Sequence, residues 1–185
     1  KTYYKEDFIA ATMSTELTST GKLREFVEEL KRLDVTVVRP CINNCFAEFK
    51  ASKNKIHYGL GAIKNVGFEA ISNIVKEREN NGKFKSFNDF IRRVDSKDVN
   101  KLQLEGLVKA GAFDIIQKNR KKIFLSIPRI IQTIKSVNED KISNQKNLFD
   151  NIISSEKDTF EFITEESWTK KELQSEEFNS LGFYI

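Results

Sequence analysis

The stretch Tyr58-Gly59-Leu60-Gly61-Ala62-Ile63-Lys64-Asn65-Val66-Gly67 leads directly into Phe68-Glu69-Ala70-Ile71-Ser72-Asn73-Ile74-Val75-Lys76-Glu77-Arg78. Apolar positions in the second half recur with helical period, and the glycines of the first half punctuate it. The reading is a short helix over residues 62–66, a bend at Gly67 and a second helix that Asn80-Asn81-Gly82 ends. The pattern then returns. Ser86 can cap a short helix carrying Phe87, Phe90, Ile91 and Val94. Asn100 can cap another with Leu102, Leu104, Leu107 and Val108, which stops at Ala110-Gly111-Ala112-Phe113. A long basic amphipathic helix over 119–137 follows, with Pro128 expected to kink it.

Upstream of this pair, residues 3–15 and 20–33 each show one apolar helical face, the second after Ser19 and Thr20 as a cap signal. Val35-Thr36-Val37-Val38 reads as a short strand halted by Pro40, which has no N–H to give a sheet ladder. Residues 46–50 and 56–58 flank Lys53-Asn54 as a small hairpin. Downstream, residues 138–163 lose the period and open with a polar run, so a linker is expected there, and a last helix is expected over 169–180. The fold class is therefore mainly α, with tandem helix-bend-helix units, a short strand and a small β-hairpin. Four regions follow: 1–45, 46–137, 138–163 and 164–185. A chain that opens on Lys1 and ends in apolar Leu181-Gly182-Phe183-Tyr184-Ile185 reads as a piece of a longer protein.

The chain has 185 residues, 39% hydrophobic and 31% charged, with a mean hydropathy of -0.47. That composition fits one or two packed domains and excludes collagen-like or plainly disordered chains. No run approaches the roughly 20 apolar residues of a membrane span, so no membrane partner is expected. Cys41 and Cys45, with one histidine in the chain, are too few soft ligands for a structural zinc site. They read as reduced thiols. Charge is uneven: residues 50–135 hold 19 basic and 8 acidic side chains, whereas 139–185 hold 5 and 11. This suggests a body facing a polyanion, followed by an acidic tail.

A glycine bend opening a helix leaves backbone N–H groups without intrahelical partners, and those groups together with the helix dipole suit a phosphate. Two such bends in a basic region form a tandem helix-hairpin-helix pattern. The candidate DNA-binding residues are Gly61, Lys64, Asn65, Val66 and Gly67 at the first bend, and Lys109, Ala110, Gly111 and Ala112 at the second. Contacts of this kind hold duplex DNA by its phosphates without reading sequence. The competing reading is a pair of ordinary turns whose glycines are only C-caps. A second signal is Gln145-Lys146-Asn147-Leu148-Phe149, the form of a short peptide that docks in an apolar groove. Leu148 and Phe149 would be the anchors and Gln145 the rim contact.

These segments, together with Phe84-Lys85-Ser86-Phe87-Asn88-Asp89-Phe90 and the run from Asn100-Lys101 to Phe113-Asp114, resemble the bacterial replicative DNA polymerase III alpha subunits, family C. The similarity runs along the whole chain. It implies the end of a helical fingers segment, the tandem helix-hairpin-helix, an internal sliding-clamp motif at Gln145 to Phe149, and a helix leading toward an oligonucleotide-binding domain absent from this sequence. Lys5 stands where the family commonly has proline. By the resemblance the parent is a cytoplasmic DNA-directed DNA polymerase, a nucleotidyltransferase of chromosomal replication. Its partners would be double-stranded DNA, the sliding clamp (beta subunit) and other replicase subunits.

The family's chemistry uses two magnesium ions on palm aspartates, which the resemblance puts upstream of Lys1. No catalytic or metal-binding residue and no cofactor is expected in this chain. Asp34, Asp89, Asp95, Asp98 and Asp114 read as caps or solvated charges, Glu25, Glu28 and Glu29 as a wet helix face, and His57 as structural. Alternatives stay open: an accessory or repair module with the same hairpins and no polymerase, a protein-interaction scaffold with structural glycine turns, or a translesion relative within the family.

Overall fold

A computed structural model describes residues 5–146 and 160–185. Two helices open it, α1 (Lys5–Thr15) and α2 (Thr20–Arg32), burying Ile9, Ala10 and Met13 from the first and Leu23, Val27 and Leu30 from the second. The β-branched run then extends as β1 (Thr36–Val38), and the hairpin forms from β2 (Lys50–Ser52) and β3 (Lys55–His57) around Lys53-Asn54. β3 lies in the middle of the sheet, parallel to β1 and antiparallel to β2. The segment before β2 is not a strand: Phe46 makes only one isolated bridge, to Gly59. The short helix expected over 62–66 is instead one 3-10 turn at Leu60–Ala62. Gly61 explains that early start, because its N–H donates to the Ala47 carbonyl at 2.9 Å and ties the turn to the sheet side.

From there the helices follow as α3 (Phe68–Asn81), α4 (Phe87–Arg93), α5 (Lys101–Lys109), α6 (Arg120–Lys146) and α7 (Lys170–Leu181). Ser86 and Asn100 cap α4 and α5 through the Asp89 and Gln103 amides. Thr169 and Glu172 form a reciprocal capping box on α7. α6 continues through Pro128 and runs nine residues beyond Val137. The linker expected from residue 138 is thus corrected at its start. The Asn138 amide bonds the carbonyl oxygens of Val94 and Ile134 and accepts from the Ser96 N–H, and Lys141 donates to the Arg92 carbonyl. Polar side chains stabilise the helix there by contacts that hydropathy does not register.

One buried core runs from Ile9 through Tyr58, Phe90, Leu107 and Ile130 to Phe183, with the partly buried Phe160 and Phe162 packed against it. Phe84, Phe87, Phe90 and Phe113 pack ring on ring with centroids 4.9–5.7 Å apart, and Phe162 joins them against Phe87 at 5.6 Å. The end of the expected linker is therefore packed, and Ile163 donates its N–H to the buried Ser126 hydroxyl at 3.0 Å. α7 closes the core from the other side. Its end turns at Gly182, with φ +82°, where any Cβ would meet Thr20 Cγ2 at 2.2 Å, so the last helix abuts the start of α2.

Candidate nucleic-acid interface

The first bend runs from Ile63 to Gly67. Val66 donates to the Ile63 carbonyl, and the Lys64 N–H donates to the Ser180 carbonyl at the end of α7. Asn65 adopts φ +64°, a conformation asparagine tolerates better than most residues. α5 supports the bend from beneath, and Gly106 is what lets it approach: a Cβ there would sit 2.4 Å from the Lys64 carbonyl oxygen. Gln103, buried under the same bend, accepts from the Gly67 N–H at 3.4 Å and donates to Asp98 O.

The outer side of this bend is open. Lys64, Asn65, Gly67, Phe68 and Glu69 are exposed, and Val66 is turned into the core. Gly67 is the N-cap of α3 and offers no capping side chain, unlike Ser86, Asn100 and Thr169 on α4, α5 and α7. The N–H groups of the first turn of α3 therefore face solvent next to Lys64, with the positive end of the helix dipole behind them. The fold does not require a glycine at 67. Its φ of -72° is ordinary, and the nearest atoms to a built Cβ are 3.7 and 3.9 Å away. Gly61 differs: its N–H is used on Ala47, and a Cβ would lie 2.9 Å from the Ala47 carbonyl oxygen. Gly61, expected as a DNA contact, is thus held by packing with its amide already bonded.

The second bend is of another kind. Ala110, Gly111 and Ala112 are buried, and their N–H groups donate to Gly106, Val108 and Leu107 carbonyls. The Ala112 carbonyl accepts from Ile42, so this bend holds the loop after β1. Gly111 has φ +79°, and a Cβ would strike Arg120 Nη2 at 2.2 Å. Arg120 is itself buried, bonding both Asp114 oxygens (2.6 and 2.8 Å), the Lys109 carbonyl and Glu177. Burial pulls its pKa down, but the hydrogen bonds and charges of Asp114 and Glu177 outweigh that and hold it above the usual arginine value. Lys109 is paired with Glu176 at 3.0 Å. Of the expected phosphate contacts, Ala110, Gly111 and Ala112 thus lie inside the fold with their amides already bonded, and Lys109 is half-buried and ion-paired.

The acidic tail accounts for part of the basic surface as well. Arg39 and Arg120 meet Glu177, while Lys121 and Lys122 meet Glu166 and Glu165. Gln145, Leu148 and Phe149 cannot be placed: the side chain of Gln145 and the whole of Leu148 and Phe149 lie outside the described residues. Asp89 accepts from the Lys85 N–H at the start of α4, Asp95 accepts from the Lys97 N–H at the start of a 3-10 turn (Ser96–Asp98), and Asp98 accepts from Asn73. The Cys45 thiol is buried and pushed up to about 12 by that burial. Gly106 is the site residue that sequence reasoning passed over. Its signal was a lone glycine inside a helical run, which costs about 1 kcal/mol against alanine and so calls for a packing reason.

A helix-hairpin-helix family model matches residues 34–123. DNA polymerase III subunit alpha of Borreliella burgdorferi is 38% identical over the whole chain, that of Caulobacter vibrioides 36% identical over 97% of it, and that of Neisseria meningitidis serogroup A 34% identical over all of it. The chain spans 16% of the length of each of these relatives. Among the described residues no helix is long and apolar enough to cross a membrane. With residues 34–123 matching the helix-hairpin-helix model and its full length aligned to one stretch of these subunits, the chain is homologous to a segment of the DNA polymerase III alpha subunits.

Proposed function

We propose that the chain is a DNA-holding segment of the catalytic subunit of a cytoplasmic bacterial replicase, and that its first bend grips duplex DNA by one phosphate strand. Lys64 supplies the charge, and the open amides of α3 supply the hydrogen bonds. One observation carries the reading: a glycine that the fold does not need stands at a helix start without a side-chain cap, exposed and beside a lysine. A side chain at 67 would stand between those amides and an approaching phosphate. In the longer protein, template-directed synthesis would occur on aspartates elsewhere, holding two magnesium ions, and this segment alone would be inactive. Gln145, Leu148 and Phe149 would tether it to the sliding clamp, raising the effective concentration of a weak DNA grip.

The test is anisotropy of a labelled duplex over a salt series. Binding should be indifferent to sequence, and log Kd should rise linearly with log salt. Lys64→Glu should weaken binding, while Lys109→Glu should do so much less. Binding that ignores salt, or that is equally impaired by the two substitutions, overturns the reading. For the tether, Leu148→Ala with Phe149→Ala should abolish clamp binding and leave duplex affinity unchanged.

A further inference from the structure

A second basic feature lies on the sheet, away from the residues of the first bend. Antiparallel pairing sets Lys50 of β2 directly opposite His57 of β3. Ser52, two residues along β2, places its hydroxyl 3.2 Å from His57 Nε2. Phe46, from the loop before β2, presents its ring edge-on to the imidazole at 6.4 Å and lies under the Lys50 ammonium at 4.1 Å. Arg78 reaches the same place from α3. Asn44, Phe46, Lys50, Ser52, His57 and Arg78 line a cleft of about 350 Å³.

Two features separate this cleft from an ordinary basic surface. Arg78 is only 6% exposed, and its Nη1 is fixed by the carbonyl oxygens of Ile42 and Cys45. Nε and Nη2 make no hydrogen bond among the described residues, and this buried, preorganised guanidinium lies over the Phe46 ring, 5.0 Å from its centroid, in the wall of the cleft. No carboxylate lines the cleft among the described residues. His57 Nδ1 is buried and without a hydrogen-bond partner. A planar donor fork, an ammonium, a hydroxyl and an imidazole lining one cleft without a counter-ion suit a phosphate-type oxyanion.

We infer that this cleft binds a phosphate group, held by Arg78 and Lys50 with His57 and Ser52 beside it. The phosphate could be a free anion or belong to a nucleic-acid strand; both present anionic phosphoryl oxygens to the donors. The site is independent of the first bend and does not rest on the function proposed for it. Its electrostatics agree: burial, then the charges of Lys55, Arg78 and Lys50, hold the imidazole below its ordinary pKa, while Glu79 is the acidic group acting on Arg78. An anion in the cleft would offset the cationic field and raise the affinity of His57 for its proton.

His57 is the single histidine of the chain, so its imidazole resonances report on the cleft without ambiguity. The experiment follows them by NMR in the 185-residue chain while inorganic phosphate replaces chloride at constant ionic strength, and separately while a short single strand lacking terminal phosphates is added. Saturable movement with an upward-shifted titration midpoint is expected, weakened about tenfold in Lys50→Glu, an exposed residue whose replacement leaves Arg78 in place. A response to phosphate alone assigns a free anion, and a response to the strand assigns a phosphodiester. Resonances that follow neither, or follow them equally in Lys50→Glu, overturn the site. Lys64→Glu should leave the response unchanged, so failure of the first-bend reading would not be confused with failure here.

Discussion

Three glycines at the two bends do three different jobs, and substitution separates them. At 67 the conformation is ordinary and the space open, so Gly67→Asp introduces an N-cap that accepts from the first-turn amides. We expect Gly67→Asp to keep or slightly raise the unfolding midpoint, by a few tenths of a kcal/mol. It should also lower duplex affinity by at least about tenfold, because a carboxylate then occupies the place of a phosphate. Denaturation and anisotropy on the same sample check both signs, and loss of stability would show that the fold does require glycine there. Gly106 is the opposite case. A methyl group 2.4 Å from the Lys64 carbonyl oxygen forces α5 and the bend apart, so Gly106→Ala should destabilise by about 1–3 kcal/mol even though alanine is the better helix former. Urea titration reads that cost. Gly111 combines both constraints, a positive φ and an arginine in the way, and serves the packing of Arg120.

Among the elements, those that a local signal specifies were legible in the sequence. Ser86 and Asn100 mark the starts of α4 and α5, Gly82 the end of α3, and the β-branched run before Pro40 gives β1. Elements set by distant contacts were not legible. Residues 138–146 are polar, yet they stay helical because Asn138 and Lys141 reach backbone groups near the end of α4, and no period in the sequence reports that. The site shows the same division. The exposed bend that carries Lys64 and Gly67 was readable from spacing alone. The burial of Ala110–Ala112 was not, since it depends on Ile42, Arg120 and α7 arriving from elsewhere in the chain. Arg120 is the clearest joint between elements, linking the end of α5, the start of α6 and α7. Arg120→Ala empties a buried site and leaves Glu177, only 13% exposed, with Arg39 at 3.6 Å as its remaining cation, so a loss of about 1–3 kcal/mol is expected in thermal or urea unfolding. Arg120→Ala with Glu177→Gln should recover part of it, as the poorly compensated carboxylate is then gone.

For the molecule as a whole, α7 decides whether the first bend can hold its shape. Its Ser180 carbonyl fixes the Lys64 N–H, and Leu181 and Phe183 are buried, the latter 6.4 Å from the Tyr58 ring that begins the glycine stretch. Each of those two side chains contributes roughly 1.5–3 kcal/mol by burial. A chain ending at residue 163 would therefore lose about 3–6 kcal/mol from these two alone, a large share of the 5–15 kcal/mol of a typical domain. We expect that truncation to lower the unfolding midpoint sharply and to weaken duplex binding, although it removes more acidic than basic charge. Simple charge counting forecasts the reverse, tighter binding once the acidic tail is gone, so the direction of the change discriminates between the two accounts. The tail's attachment also depends on pH. The hydrogen bond and charge of Lys121 hold the Glu166 carboxyl below its usual pKa, and the Thr169 hydrogen bonds do the same for Glu172. A depressed carboxylate contributes stability that is fully present above the ordinary carboxylate pKa and is lost as pH falls through the folded value. Acidification below about pH 4.5, the ordinary value for these groups, should therefore loosen α7. Hydrogen exchange at the Lys64 amide should rise relative to amides in α3, because that amide alone is held by the Ser180 carbonyl. Equal protection of the two at low pH would show that the bend is stable without its brace.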